Sequence, residues 1–183
     1  DNNGNIYLAG TTYDTTNQYN ICIMKADTAG SILWSTQFGN SYDNVSTPSI
    51  AYNNDREIYL AYTSWKGLSP LGHANAVRLD SAGNRLAFNS IGTPPGSPRV
   101  SYCHIYIFNG KPCLLNKTIN GPSDPGPLLI RILDSAFSLV HQTQLTSINL
   151  CNIITDPTTL LLAGQADIAS GISGFKTARL DTA

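Results

Sequence analysis

Met24-Lys25-Ala26-Asp27-Thr28-Ala29-Gly30 returns as Val77-Arg78-Leu79-Asp80-Ser81-Ala82-Gly83. It returns again as Arg131-Ile132-Leu133-Asp134-Ser135-Ala136 and as Ala178-Arg179-Leu180-Asp181-Thr182-Ala183. A second landmark precedes each: Ile6-Tyr7-Leu8-Ala9-Gly10, Ile58-Tyr59-Leu60-Ala61-Tyr62, Cys113-Leu114-Leu115-Asn116 and Leu160-Leu161-Leu162-Ala163-Gly164. Two landmarks in fixed order, recurring about every 50 residues, mark a repeat protein. The repeats fall at about residues 1–44, 45–95, 96–145 and 146–183.

Within a repeat the apolar runs are short and bounded by Gly, Asn, Asp and Pro. Repeat two shows this best. A strand near Pro48 to Tyr52 meets the turn Asn53 to Arg56, and a second strand runs from Glu57 to Thr63. After the loop from Ser64 to Gly72 come strands at Ala74 to Asp80 and Arg85 to Ile91. This punctuation belongs to strands, and no segment holds a 3.6-residue period long enough for a helix. Four antiparallel strands per repeat predict an all-β chain of β-propeller blades. Stacked blades are buried on both faces, so inner strands read as continuous apolar runs. Ile21-Cys22-Ile23-Met24 and Leu128-Leu129-Ile130 do so. The chain opens in the turn before a second strand and stops after a third. That phase predicts fourteen strands, 3.5–4 blades, in a segment of a longer ring or in a chain that self-associates to close one. Recurring at four separate sites, the landmark Asp is structural, accepting backbone N–H bonds in the turn it opens.

Gly4-Asn5-Ile6-Tyr7-Leu8-Ala9-Gly10-Thr11-Thr12, followed by Lys25-Ala26-Asp27-Thr28-Ala29-Gly30-Ser31-Ile32-Leu33-Trp34, resembles the bacterial seven-bladed propeller repeat family called SBBP. Repeat two fits from Asp80 to Asn84, with Phe88 in place of the Trp. In repeat three Phe137 stands where the turn glycine belongs. The resemblance implies a seven- or eight-bladed ring and a secreted or surface-attached repeat module. Ala29 to Trp34 also looks like the tryptophan-docking repeat of quinoprotein propellers, in which Trp packs between blades. No residues here match a quinone site.

Composition narrows the function classes. Of 183 residues, 13% are charged and the net charge is −1, so the basic patch needed to neutralise nucleic-acid phosphates is missing. No apolar run is long enough to span a membrane as a helix. Cys22, Cys103, Cys113 and Cys151 match no zinc spacing. A two-residue Asn109-Gly110 turn sets Cys113 opposite Tyr106 and Cys103 opposite Asn116, out of register for a bridge. Small half-buried apolar roles fit the cysteines, with one or two disulfides left open. His73, His104 and His141 occupy non-equivalent positions, and adjacent Cys103 and His104 point to opposite faces of a strand. These residues predict no catalytic, cofactor or metal constellation. Asn/Asp-rich turns at Asp1 to Asn5 and Asn53 to Asp55 are the places where calcium could sit, although neither has the alternating carboxylates of a calcium loop.

The loops Tyr13 to Tyr19, Ser64 to Gly72, Ile119 to Pro127 and Asp167 to Gly174 all join second to third strands. Equivalent loops share one rim of a propeller, and rims bind ligands. Tyr13, Tyr19 and Trp65 are amphipathic contacts common at interfaces. Asn44-Val45-Ser46 and Asn116-Lys117-Thr118 are formal glycosylation triplets. The sequence therefore points to a non-enzymatic extracellular or surface scaffold presenting rim loops to a protein or glycan partner. One alternative is a glycan hydrolase or lyase with a channel site, drawing paired carboxylates from Asp43, Asp55, Asp124, Asp156 and Asp167. A second is a purely architectural repeat within a larger assembly.

Overall fold

The computed structural model describes residues 1–13, 15, 19–39, 44–46, 48–53, 56–65, 72–91, 99–119, 126–146, 149–155, 159–169 and 172–181. Of these, side chains at 39, 44, 99, 101, 119, 149–155, 165–169, 172–176, 180 and 181 are not described. The described residues hold fifteen strands and no helix. Sheet 1 is β1 (Ile6–Tyr13), β2 (Tyr19–Ala26) and β3 (Ile32–Gly39). Sheet 2 is β4 (Asn44–Val45), β5 (Ser49–Tyr52), β6 (Ile58–Trp65), β7 (His73–Leu79) and β8 (Arg85–Ile91). Sheet 3 is β9 (Arg99–Phe108), β10 (Lys111–Ile119), β11 (Leu128–Leu133) and β12 (Leu139–Leu145). Sheet 4 is β13 (Asn149–Thr155), β14 (Thr159–Ala169) and β15 (Ile172–Asp181). Each is an antiparallel meander. The fifteenth strand arises because β4 and β5 both pair with β6 and share the place of one first strand. Pro48, in the break between them, has no N–H to give a ladder.

The sheets stack face to face in chain order. Ile21 and Ile23 of sheet 1 meet Ile58, Leu60, Tyr62, Val77 and Leu79 of sheet 2. The other face of sheet 2, with Tyr59, Ala61, Ala74 and Ala76, meets Cys103, Ile105, Leu114, Leu133 and Phe137 of sheet 3. The far face of sheet 3, with Cys113, Leu115, Leu128 and Ile130, meets Leu160 and Leu162 of sheet 4. A middle strand such as β6 is therefore apolar on both faces, and its run from Ile58 to Ser64 is wholly buried. Outer strands alternate or are exposed, as β8 and β12 are. Meander sheets stacked in sequence are the blades of a β-propeller, and among the described residues no sheet closes on itself.

One turn design recurs. Asp27 Oδ1 accepts from the backbone N–H groups of Ala29 (2.9 Å) and Ser31 (2.8 Å). Asp80 Oδ1 accepts from Ala82 and Asn84, both at 2.9 Å. Asp134 Oδ1 accepts from Ala136 (2.9 Å) and Ser138 (2.8 Å). The structural role expected for the landmark aspartates is seen at these three. At Asp181 the following residues lie outside those described. The residue three after each Asp has positive φ: Gly30 at 84°, Gly83 at 86° and Phe137 at 62°. A type I turn closed by a left-handed residue makes a three-residue hairpin loop with a bulge. A shift of ladder register accompanies each turn.

The turns that open β1 and join β5 to β6 reuse this design, whereas β9 and β10 are joined by a two-residue Asn109-Gly110 turn with φ 50° and 69°. Asp1 Oδ1 accepts from Asn3 and Asn5, both at 3.0 Å, and Gly4 has φ 78°. In sheet 2 Asn53 replaces the Asp: Arg56 N donates to Asn53 O at 3.0 Å, Asn53 N donates to Glu57 O at 3.0 Å, and Arg56 takes φ 64°.

Candidate functional site

The meander topology separates two rims. With β1 counted at the second-strand position of its blade, first-to-second and third-to-fourth strand turns lie at one end of each sheet and second-to-third connections at the other. At the first end the described turns are self-satisfied. At the second, Tyr13 closes β1 and Tyr19 opens β2, and they face each other in the ladder. Their rings meet edge to face, centroids 4.8 Å apart at 60°. Tyr13 is 58% exposed, an aromatic surface held out to solvent by a hairpin end. Trp65 ends β6 at the same rim and is half-buried. On β10 and β11 the rim is braced by Thr118 Oγ1 donating to Pro127 O (3.0 Å) and Lys117 Nζ donating to Gly126 O (2.9 Å). Apart from Thr15, the side chains of the inner residues of the four rim loops lie outside those described.

A second aromatic row lies on β9, the first strand of sheet 3. Tyr102 and His104 have ring centroids 5.2 Å apart, and His104 and Tyr106 6.4 Å. All three share one face of the strand, and Tyr102 and Tyr106 border the core shared with sheet 4. Burial holds His104 below the usual histidine range, favouring the neutral ring. Cys103 points the other way, into the sheet 2–3 core, so Cys103 and His104 are no catalytic pair. His73 opens β7 and His141 lies on β12, so the three histidines are on three different strands. Among the described residues no group of three His, Cys, Asp or Glu side chains could hold a metal.

The carboxylates whose side chains are described are spent on structure. Asp27, Asp80 and Asp134 cap turns; hydrogen bonds from Asn84, side chain and backbone, hold the Asp80 carboxyl below its ordinary range. Glu57 pairs with the Arg78 guanidinium, which lowers its pKa, and accepts from Tyr59 Oη at 2.6 Å. Burial, then that bond, push the Tyr59 phenol up to about 12. Asp1 Oδ2 accepts from Asn5 Nδ2 and Tyr7 Oη, each at 3.0 Å, with Lys25 Nζ at 3.3 Å. With three donors converging on that oxygen, the Asp1 turn does not fit a calcium ion. In the other candidate turn, Asn54 and Asp55 lie outside the described residues. So do Asp43, Asp124 and Asp156, and the side chain of Asp167.

The cysteines follow the expected register: Cys113 faces Tyr106 and Cys103 faces Asn116. Cys22, Cys103 and Cys113 are free thiols, and the side chain of Cys151 is not described. Burial pushes both Cys103 and Cys113 up to about 12, so they are inert fillers of the core. Asn116 is no glycan acceptor in the folded chain. It is buried in β10, and its Oδ1 accepts from Arg131 Nη1 at 3.2 Å.

The tryptophan position needs a correction. Trp34 pairs with Lys25, two residues before Asp27. The residue paired with Arg78, two before Asp80, is Ala87. Ala87 therefore takes the place of Trp34, and Phe88 lies on the opposite face, exposed. Counting from the landmark aspartates gives the same equivalence, since Trp34 lies seven residues after Asp27 and Ala87 seven after Asp80.

These sheets, turns and stacked faces define a β-propeller with one stereotyped and one variable rim. No protein-family model matches the sequence. No curated protein matches it either. Among solved structures it is similar to a GH43 endo-arabinanase from Bacillus licheniformis, at 15% identity and TM-score 0.48, over 98% of this chain and 70% of that one. It is also similar to an α-L-arabinofuranosidase from Clostridium thermocellum, at 13% identity and TM-score 0.41, over 95% of this chain and 68% of that one. Likenesses of this strength carry no chemistry across.

Proposed function

We propose that the chain is a non-enzymatic propeller scaffold, extracellular or surface-attached, whose second-to-third-strand rim binds a protein or glycan partner. One observation carries the reading: one rim is consumed by repeated turns, while the other holds out the Tyr13–Tyr19 aromatic pair. Aromatic faces bury large area at low entropic cost and stack on sugar rings or peptide. The low charge of the chain and its resemblance to the SBBP repeats support the location. The test is binding of the purified chain to a soluble-glycan and peptide panel, measured calorimetrically. Tyr13→Ala should weaken any hit by roughly 10-fold or more, while Ala82→Lys on the turn rim should leave it unchanged. Equal loss from both variants would remove the rim from the proposal. Turnover of a bound glycan would replace it with the hydrolase or lyase reading and turn attention to Asp43, Asp55, Asp124, Asp156 and Asp167.

A further inference from the structure

Between sheets 2 and 3 the repeat is broken on one face. Arg131 lies three residues before Asp134, where the first two blades place Met24 and Val77 before Asp27 and Asp80. Val77 is 0% exposed, in the apolar core between sheets 1 and 2. Across the ladder Val77 meets Phe88 on β8, whereas Arg131 meets Gln142 on β12. Asn116 takes the place of Tyr62. Tyr62 pairs with Asn75, five residues before Asp80, and Asn116 pairs with Leu129, five before Asp134. One blade has thus exchanged a Tyr, a Val and a Phe for an Asn, an Arg and a Gln.

The altered face is turned to sheet 2. Leu114 and Leu133 enter the core shared with Ala61, Ala74 and Ala76, and strand alternation puts Asn116 and Arg131 on the same side. Arg131 is 5% exposed and Asn116 is fully buried. The guanidinium donates to neutral oxygens: Nε to Gln142 Oε1 at 2.9 Å and Nη1 to Asn116 Oδ1 at 3.2 Å. Among the described residues the ion pairs are Lys25–Asp1 and Arg78–Glu57, and no carboxylate balances the Arg131 charge. Burial pulls the guanidinium below its ordinary pKa. Asn116 Nδ2 is buried with no hydrogen-bond acceptor. Its amide bears on the Cys103 thiol opposite it in the ladder, a weak acceptor at best. Thr63 Oγ1, on the face that β6 turns to sheet 3, is buried and unbonded as well. An unbalanced buried charge is strongly destabilising, and an unpaired buried amide adds to the cost. One kind of species answers both: small, negative and purely accepting.

We propose that Arg131, with Asn116 Nδ2 beside it, forms a site for a small monovalent inorganic anion of the halide class between sheets 2 and 3. Guanidinium and amide N–H groups together supply one charge-assisted and one neutral hydrogen bond to such an ion. The burial of both residues selects against bulky anions and against a carboxylate carried by another protein.

The experiment is thermal unfolding of the full 183-residue chain in sodium chloride, sodium bromide and sodium gluconate at one ionic strength, gluconate serving as the bulky reference anion. In the wild type the halides should raise the melting temperature saturably, by roughly 5 °C or more at about 100 times the dissociation constant. Arg131→Met, which installs the residue type of Met24, should fold and lose that increment. Arg131→Lys keeps the charge without the planar fork and should keep only part of it. Bromide-soaked crystals of the wild type give a readout that needs no variant. Their anomalous peak should lie within hydrogen-bond reach of the Arg131 guanidinium and Asn116 Nδ2. A halide effect that does not saturate, or that Arg131→Met retains, is a general salt effect and overturns the proposal. Bromide confined to the surface, an adventitious ion only, overturns it too. So does a wild type indifferent to halide, which would mean that water or another group of the chain completes the site.

Discussion

The contact between sheets 1 and 2 and the contact between sheets 2 and 3 solve one packing problem with large and small residues exchanged. At the first, the Trp34 indole lies across the Asp80 turn and Nε1 donates to Ser81 O at 3.0 Å. Gly83 permits this: a Cβ there would lie 2.9 Å from the indole. At the second, Ala87 stands in place of Trp34, and Phe137 stands in place of Gly83. Phe137 is buried and meets Tyr59 edge to face, with ring centroids 6.0 Å apart. The lost donor is also replaced. Arg78 Nη1 donates to Ser135 O at 2.9 Å, the carbonyl equivalent to that of Ser81, and Asn89 Nδ2 donates to Phe137 O at 3.0 Å. Bulk and hydrogen bond are both kept across the two contacts, although the side chains that supply them differ: Trp34 at the first, Phe137, Arg78 and Asn89 at the second. The aromatic has moved from the outer strand of one blade to the turn of the next, at the cost of a bulky residue in the left-handed region.

The largest effect should come from Phe137. Phe137→Ala leaves a cavity between two sheets and keeps a Cβ at positive φ, so it should lower stability by about 3–5 kcal/mol in urea denaturation. Phe137→Gly loses the same ring but relieves the backbone, and should be milder by about 1 kcal/mol. Adding Ala87→Trp to Phe137→Gly rebuilds the Trp34–Gly83 arrangement and should recover part of the loss. If Ala87→Trp worsens Phe137→Gly, the two contacts are not exchanged versions of one design.

The glycines sharpen the comparison from the other side. Gly30 and Gly83 have nearly equal φ, but a Cβ at Gly30 meets nothing within 4 Å. Gly30→Ala should therefore cost only the backbone strain, about 1 kcal/mol. Gly83→Ala adds displacement of Trp34 and should cost about 2–3 kcal/mol. In a Trp34→Ala background the Gly83→Ala cost should fall to the Gly30 value, a coupling that a double-mutant cycle reads directly. Equal costs in the wild type would mean the indole does not need the glycine.

What the sequence made legible follows the same division. The landmark aspartates, the meander and the Cys103–Asn116 register are local consequences of turn chemistry, and local chemistry can be read along the chain. The exchanged contact was hidden because it is written across two repeats: Ala87 reads as an ordinary strand residue until Phe137 is set beside it. Phe137 is legible as the residue at the turn-glycine position, but its packing is not; Arg56 is hidden because a non-glycine in the left-handed region leaves no compositional mark. At Asp1 the run Asp-Asn-Asn-Gly-Asn resembles half an ion loop; only the donors on Oδ2, Asn5, Tyr7 and Lys25, show that oxygen already taken. The rim was legible through its aromatics alone, since nothing periodic constrains a loop.

Acid should separate the two contacts by the smallest margin. The donor at the sheet 2–3 contact, Arg78, is also paired with Glu57, whereas Trp34 has no titrating partner in its bond to Ser81. The Glu57 carboxyl is held below its ordinary range by the Arg78 bond. A carboxylate depressed by folding stabilises above its unfolded pKa, about 4.3, and that contribution disappears as pH falls through the folded value. Glu57→Gln should therefore flatten the stability profile below about pH 4.3 by roughly 1 kcal/mol or less, the pair being close to the surface. Trp34→Phe should lower the whole profile without changing its acid slope. Identical acid slopes in wild type and Glu57→Gln would show that the ion pair orients Arg78 without stabilising the contact, leaving the bonds to Ser135 O and Phe137 O as the replacements for the indole.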